Sequence, residues 1–190
     1  VVVLKHGSLQ RAAFSEAGGE ALRAWIENCP NQLYSALTFQ GGAAWRKRLL
    51  ADIGASPGIA MLLERRSDAD LASLMTNLGG HDLRSVLEAF ETARSNDRPT
   101  CFIAYTIKGF GLPLAGHKDN HAGLMTKDQM ATFRASMSVE EGREWDAVEG
   151  FDFDEQDLQR FLDNVPFKTR GHRRHHAQRI IIPDRLAVVA

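Results

Sequence analysis

Two short apolar runs lie on either side of a long stretch with helical periodicity. The first run, Val1 to Lys5, is β-branched and almost continuous, which is typical of a strand buried in a parallel sheet. The second run, Thr100 to Thr106, follows Pro99 and has the same character. We predict that these runs form two parallel strands joined by a right-handed crossover.

Apolar residues between the two strands recur at intervals of three and four. Residues 19–77 contain several such stripes, separated by Pro and Gly residues, and predict four or five short helices with no strand. A further helix begins after Asp82, its predicted N-cap, and its apolar stripe runs from Leu83 to Phe90. The pattern predicts an α/β fold that is rich in helix, with a partial parallel sheet and flanking helices.

Three more short helices are predicted after the second strand. The first begins at Thr126, the second covers Val139 to Trp145 and the third covers Asp154 to Leu162. The third helix has several acidic residues in its first turn, where the helix dipole favours negative charge. From Pro166 onward we predict an extended, basic linker.

The composition of the chain limits the classes of function that we expect for it. The chain has 190 residues, 44% of them hydrophobic and 25% charged, and its net charge of −1 offers no general attraction to nucleic acid or to a membrane surface. No apolar run approaches the roughly 20 residues that cross a bilayer. Cys29 and Cys101 are too few for a disulfide framework, so we expect a cytoplasmic protein. The basic run over residues 168–179 reads as a solvated linker, with nucleic-acid binding as the alternative.

The chain begins without Met, directly in a strand. Two strands also make a poor sheet. We therefore expect that this chain is part of a larger protein, with the preceding segment missing.

The segment that follows the second strand carries the main candidate site. Lys108 comes directly after the strand, and Gly109 and Gly111 allow other groups to approach the backbone closely. A lysine in this position can bind a phosphate or a carboxylate. The alternative is a solvated lysine at the end of a strand.

His117 and His121 follow in the same loop, four residues apart. Imidazoles can move protons or donate hydrogen bonds near neutral pH, so both are candidate catalytic residues. A mobile polar loop without chemistry is the alternative. Two histidines supply at most half of a zinc coordination shell, and no metal site is predicted. His81 and Asp82 could act as a pair, but capping preference favours Asp82 as a cap with His81 packed at the turn.

These motifs together resemble the thiamine-diphosphate enzymes of the transketolase superfamily. The matching pieces are the first strand, Gly80-His81-Asp82 at a helix start, and residues 99–111 with a histidine in the loop beyond them. The long helical insertion at 19–77 is similar to that of the homodimeric pyruvate dehydrogenase first components. The resemblance covers residues 1–150 and implies the C-terminal portion of a thiamine-diphosphate-binding domain. Residues 151–190 would then be a helix and a basic linker toward a following domain.

The resemblance implies roles for individual residues. Lys108, with Gly109 and Gly111, would reach the cofactor, and His121 would help a lipoyl-bearing acyltransferase partner to receive the acyl group, with His117 as its neighbour. The family holds Mg²⁺ and the diphosphate with a Gly-Asp-Gly motif, which is absent from this sequence. We therefore expect an active parent enzyme, and an inactive 190-residue piece.

The implied activity is that of a 2-oxo acid dehydrogenase with pyruvate as substrate. Such an enzyme decarboxylates the 2-oxo acid and passes the acyl group to lipoamide, and it works as a homodimer. Two alternatives stay open. The first is a transketolase that moves two-carbon units between sugar phosphates, and the second is a binding module of the same fold without catalysis.

Overall fold

The structure, a computed structural model, describes residues 1–165, so the basic run and the predicted linker lie outside the described residues. The chain divides into two compact units, residues 1–133 and a second unit that begins at Arg134. The elements in chain order are β1 (Val2–Leu4), α1 (Ser8–Phe14), α2 (Gly19–Asn28), α3 (Asn31–Gln40), α4 (Gly42–Ile53), α5 (Ile59–Glu64), α6 (Asp68–Thr76), α7 (Leu83–Arg94), β2 (Phe102–Ala104), α8 (Lys127–Ser136) and α9 (Glu155–Asn164). Each described helix is too short or too polar to span a bilayer.

The two strands pair in parallel, with Val3 opposite Ile103, and this confirms the helix-rich α/β class with a partial parallel sheet. The prediction that both strands are buried is wrong for the described residues. Val3 is 56% exposed and Ile103 is 47% exposed. Side chains alternate between the faces of a strand, and α7 packs on the opposite face, where Phe90 meets Phe102 edge to face at 4.9 Å.

The hydrophobic core lies in the helical stretch and not against the sheet. Its buried members all belong to α1 to α6, and they are Ala13, Leu22, Ile26, Leu37, Trp45, Leu49, Ile59, Leu62, Leu63, Leu71, Leu74 and Met75. Trp45 is fully buried among them and contacts Trp25 and Tyr34 edge to face, with ring centroids 5.9 and 4.8 Å apart. The helices therefore supply a core of their own.

Five helices occupy residues 19–77, as the periodicity predicts. The Ser67–Asp70 pair forms a capping box at the start of α6, and a reciprocal pair between Thr126 and Gln129 begins α8. α1 is not predicted by the sequence, because its N-cap is Gly7 and its first amides donate to side chains distant in sequence, Ser8 to Asp82 and Leu9 to Asn77. Its burial of Gln10 and Ala13 explains why the segment is nevertheless helical.

Two helices are predicted in the second unit, and one of these predictions is confirmed while the other is wrong. α9 begins at the predicted place, with a capping box between Asp154 and Asp157. The helix predicted over Val139 to Trp145 is wrong, since this segment consists of turns. Gly142 in its middle disfavours a helix by about 1 kcal/mol, and Arg143 forms ion pairs that link successive turns. The domain boundary at residue 150 stays a prediction.

Candidate functional site

The carboxyl ends of β1 and β2 lie at the same edge of the sheet, because the strands are parallel. The segment between α6 and α7 crosses this edge. The amide of Gly79 donates to the carbonyl of Lys5 after β1, and the amide of Gly80 donates to the carbonyl of Tyr105 after β2, both at 3.0 Å. Open α/β sheets bind ligands at this edge.

Lys108 and His121 come together at this edge. The Nζ atom of Lys108 lies 2.8 Å from Nδ1 of His121, and both side chains are exposed. An ammonium group can only donate, so Nδ1 of His121 accepts and the ring proton is on Nε2. The loop thus presents a cation and an N–H donor side by side, a combination suited to an anionic ligand.

Gly109 and Gly111 shape the turn that follows Lys108. Both have left-handed backbone angles, with φ of +71° and +82°, a region that favours glycine. A Cβ at position 109 would also collide with the side-chain amide of Asn120. That amide donates to the carbonyl of Lys108 at 2.5 Å, so Asn120 ties the histidine loop back to the lysine.

His117 faces a different neighbour from His121. Its ring packs against Phe39 of α3 with the centroids 4.5 Å apart, and its Nδ1 accepts from the amide of Asp119 at 3.1 Å. The carboxylate of Asp119 pairs with Lys118, and this hydrogen bond lowers the pKa of Asp119. The helical insertion therefore contacts the loop directly through α3.

A cleft of about 1030 Å³ opens between α3 and the loop. Lys5, Lys108, Lys118 and His117 line it, and within the part of the chain that the structure describes Glu27 is the one carboxylate among the lining residues. His121 is not one of the lining residues and is linked to the cleft by its contact with Lys108. The volume is in the range of small-molecule sites. Lys118 is paired with Asp119, but Lys5 and Lys108 form no ion pair with a carboxylate of residues 1–165, and these two ammonium groups favour an anionic ligand such as a phosphate or a carboxylate.

His81 and Asp82 have separate partners, as predicted from capping preference. Asp82 is buried and caps α7 through the amide of Ser85, and it also accepts from the amide and the hydroxyl of Ser8, at 2.9 and 3.0 Å. Burial opposes ionisation of Asp82, but the hydrogen bonds from Ser85 and Ser8 outweigh it and lower its pKa. His81 accepts at Nε2 from the amide of Ile107 at 2.6 Å.

The residues of the cleft fit the anionic groups of thiamine diphosphate, because lysines and side-chain amides can hold phosphate oxygens. They do not fit its metal. Within residues 1–165, no group of three or more His, Cys, Asp or Glu side chains could hold a metal ion. Hard divalent cations need several oxygen ligands, so the described residues offer no place for Mg²⁺.

Sequence reasoning missed Lys5 and the wall formed by α3. Lys5 follows β1 as Lys108 follows β2, so the rule about the carboxyl edge of a sheet could have found it. Its Nζ lies 5.6 Å from the centre of the Tyr105 ring. The contact between Phe39 and His117 joins residues 78 positions apart, and no local signal could have found it.

Comparisons with known proteins indicate which family this chain resembles. Residues 63–149 match the family model described as the thiamine diphosphate binding domain of transketolase, a range that includes His81, Lys108 and His121. The chain is 32% identical over 118 residues to the pyruvate dehydrogenase E1 component of Corynebacterium glutamicum. The aligned part is 60% of this chain but only 12% of that relative. No solved structure gives a significant match. The resemblance to the thiamine-diphosphate-binding domain of the transketolase superfamily, on its pyruvate dehydrogenase branch, is thereby confirmed.

Proposed function

We propose that this chain forms one wall of the cofactor cleft in a 2-oxo acid dehydrogenase that uses thiamine diphosphate, with pyruvate as the substrate. The observation that carries the proposal is the contact between Lys108 and His121 beside a cationic cleft, inside the stretch that matches the cofactor-binding domain. The similarity to a pyruvate dehydrogenase E1 component supports the choice of substrate. When bound, thiamine diphosphate supplies the nucleophilic carbon and the electron sink that decarboxylation needs.

The residues of this chain would bind and orient. Lys108 would hold a negatively charged group of the cofactor or substrate, and Gly109 and Gly111 let the backbone approach it. His121 would donate its Nε2–H to the oxygen that becomes negative when the acyl group moves to lipoamide. His117 would do the same from the α3 side, because its Nδ1 is occupied and its proton is on Nε2.

The proposal includes partners and location. A second copy of the chain would complete a homodimer, and a lipoyl-bearing acyltransferase would receive the acyl group. The protein would work in the cytoplasm, with no nucleic acid or membrane involved. Mg²⁺ would be held by residues other than the described ones, since those supply no metal-binding group.

A chimera tests the function. The aligned segment of the Corynebacterium glutamicum relative is replaced by that of this chain, and pyruvate turnover is assayed with an artificial electron acceptor and with the lipoyl-bearing partner. We expect His121→Ala to lower lipoyl acetylation by roughly 100-fold, the usual effect of losing a proton-transfer group, and to affect the acceptor assay much less. Lys127→Met, at the exposed start of α8, is the control. Undiminished lipoyl acetylation in His121→Ala would remove this residue from the mechanism.

Transketolase chemistry is the second candidate, favoured by the family that residues 63–149 match. The same chimera, supplied with sugar phosphates in place of pyruvate, distinguishes the two functions. A binding module without catalysis is separated by calorimetry on the 190-residue chain with thiamine diphosphate and Mg²⁺. We expect weak binding at most, and tight binding would contradict the view that the metal anchor lies elsewhere.

A further inference from the structure

We propose that His81 is a positioning residue, which fixes the loop that carries Lys108 by accepting from the amide of Ile107 and by stacking on Phe110. This proposal rests on the proposed function only where it says what the loop is for. The contacts themselves can be tested without cofactor or substrate, so the two proposals can fail separately.

The first contact holds the backbone next to Lys108. The amide of Ile107 donates to Nε2 of His81 at 2.6 Å, across 26 residues of sequence. An imidazole nitrogen that accepts carries no proton, so the ring is neutral with its proton on Nδ1. Burial lowers the pKa of His81, in the direction that keeps the ring neutral.

The second contact holds the loop on the other side of Lys108. The rings of His81 and Phe110 are stacked, with centroids 3.9 Å apart and planes at 14°. The His81 side chain thus contacts residues 107 and 110, which lie on either side of Lys108 and Gly109. Because a lysine on an unrestrained loop loses much of its orientation, these two contacts direct Lys108 toward His121 and the cleft.

His81 can serve as an anchor because its own backbone is fixed. Its amide donates to the carbonyl of Leu78 at 2.9 Å, and the next residue, Asp82, caps α7. The charged groups nearby have other partners. The Asp82 carboxylate accepts from Ser8 and Ser85, and the Lys108 ammonium faces His121.

Two variants of the 190-residue chain separate the contacts. His81→Phe keeps an aromatic ring and loses the acceptor, whereas His81→Gln keeps an acceptor and loses the ring. Hydrogen exchange of the Ile107 amide, measured by NMR, should become roughly three- to ten-fold faster in His81→Phe, the range for one hydrogen bond. His81→Gln should recover most of the protection, and Leu83→Ala, on the exposed side of α7, should leave it unchanged.

Two further measurements test the proposal, one on the reactivity of Lys108 and one on the His81 ring of the unmodified chain. Acetylation of Lys108 by a water-soluble ester, followed by mass spectrometry, should change in rate in His81→Phe and in Phe110→Ala but not in Leu83→Ala. The ¹⁵N shifts of the His81 ring in the unmodified chain should show a proton on Nδ1. Unchanged Ile107 exchange in His81→Phe would overturn the proposal, and so would a ring proton on Nε2, an observation that requires no variant to fold.

Discussion

The Nζ atom of Lys108 lies 2.8 Å from Nδ1 of His121, although the two residues are thirteen positions apart. A lysine at the end of a strand thereby sets the tautomer of an imidazole in the following loop. The consequence is chemical, because the Nε2–H of His121 is left pointing away from the lysine and has no acceptor among residues 1–165. The pair behaves as one unit with a positive charge and one available N–H.

Removing the ammonium group of Lys108 should allow the ring of His121 to adopt either tautomer. In Lys108→Met the Nδ1 atom of His121 loses its donor, so we expect the proton to distribute between the two ring nitrogens. The ¹⁵N shifts of the ring measure that distribution. Lys118→Met is the matched control, since Lys118 pairs with Asp119 instead. Identical ring shifts in Lys108→Met and in the unmodified chain would contradict the contact.

The two loop glycines should differ in their response to alanine. Both positions have positive φ and should each lose about 1 kcal/mol of local stability. Gly109→Ala should in addition displace the side chain of Asn120, because the new Cβ would occupy its position, whereas the space beside Gly111 is open. The NMR signals of the Asn120 side-chain amide should shift in Gly109→Ala and stay in place in Gly111→Ala. Equal effects would argue against the docking of Asn120.

The contact between α3 and the loop should restrain the loop. Phe39→Ala removes the ring that packs on His117, a contact between aromatic rings worth about 1 kcal/mol. Trypsin should then cleave after Lys118 about five-fold faster. Leu50→Ala is the control, because Phe39 and Leu50 are both 45% exposed. Equal cleavage rates in the two variants would mean that α3 does not hold the loop.

The Asp82 network should give stability that depends on pH. Asp82→Ala should lower the free energy of unfolding by about 2 kcal/mol at pH 7, since it removes a cap and the acceptor for Ser8. In the folded state burial would raise the pKa of Asp82, but the hydrogen bonds outweigh it and lower that pKa below its ordinary value of 3.8. The stability that the carboxylate contributes is therefore complete above pH 3.8 and is lost as the pH falls through the pKa of the folded state. Urea unfolding at several pH values checks this.

The control for that experiment is Asp154→Ala, which removes the cap of α9 alone and should cost less. The difference between the unmodified chain and Asp82→Ala should stay constant from pH 7 to pH 5 and then shrink. A difference that grew with acidity would show that the carboxylate does not stabilise the folded state.

Trp45 offers a test of the helical core. Trp45→Ala should cost about 4 kcal/mol, because the indole is fully buried. Trp45→Phe should cost less than about 1.5 kcal/mol, because the Nε1 donor has no partner among the described residues and its loss removes a buried unpaired group. Trp145→Ala, at a residue 97% exposed, should change little. Circular dichroism during urea unfolding measures all three, and similar losses in Trp45→Ala and Trp145→Ala would contradict this core.

Local signals predicted much of the fold. The two strands, the cap at Asp82, the start of the last helix near Asp154 and the helices of residues 19–77 all depend on neighbouring residues, and each of them appears in the structure. α1 is not predicted, because burial and the distant side chains of Asn77 and Asp82 stabilise its first turn, and no neighbouring residue caps it. The helix predicted over residues 139–145 is wrong because Gly142 disfavours a helix there and the ion pairs of Arg143 join successive turns.

The sequence could predict only those parts of the candidate site whose residues are close together along the chain. Lys108 and His121 share one loop, so the sequence could place them near each other. The opposite wall could not be predicted, because Phe39 meets His117 across 78 residues and the periodicity of α3 says nothing about what packs on its exposed side. Long-range packing decides that contact, and a single sequence does not reveal it.

Among the described residues, the main buried core is built from α1 to α6, while the charged groups suited to bind a ligand lie at β-strand ends and on the loop beyond them. Tolerance to change is therefore unevenly distributed. Exposed side chains at the cleft, such as Lys108 and Lys118, can be exchanged with little loss of folding, whereas Ile26 lines the same cleft as a core residue and Tyr34 packs against that core. Replacements inside the helical cluster would weaken every function of the chain alike.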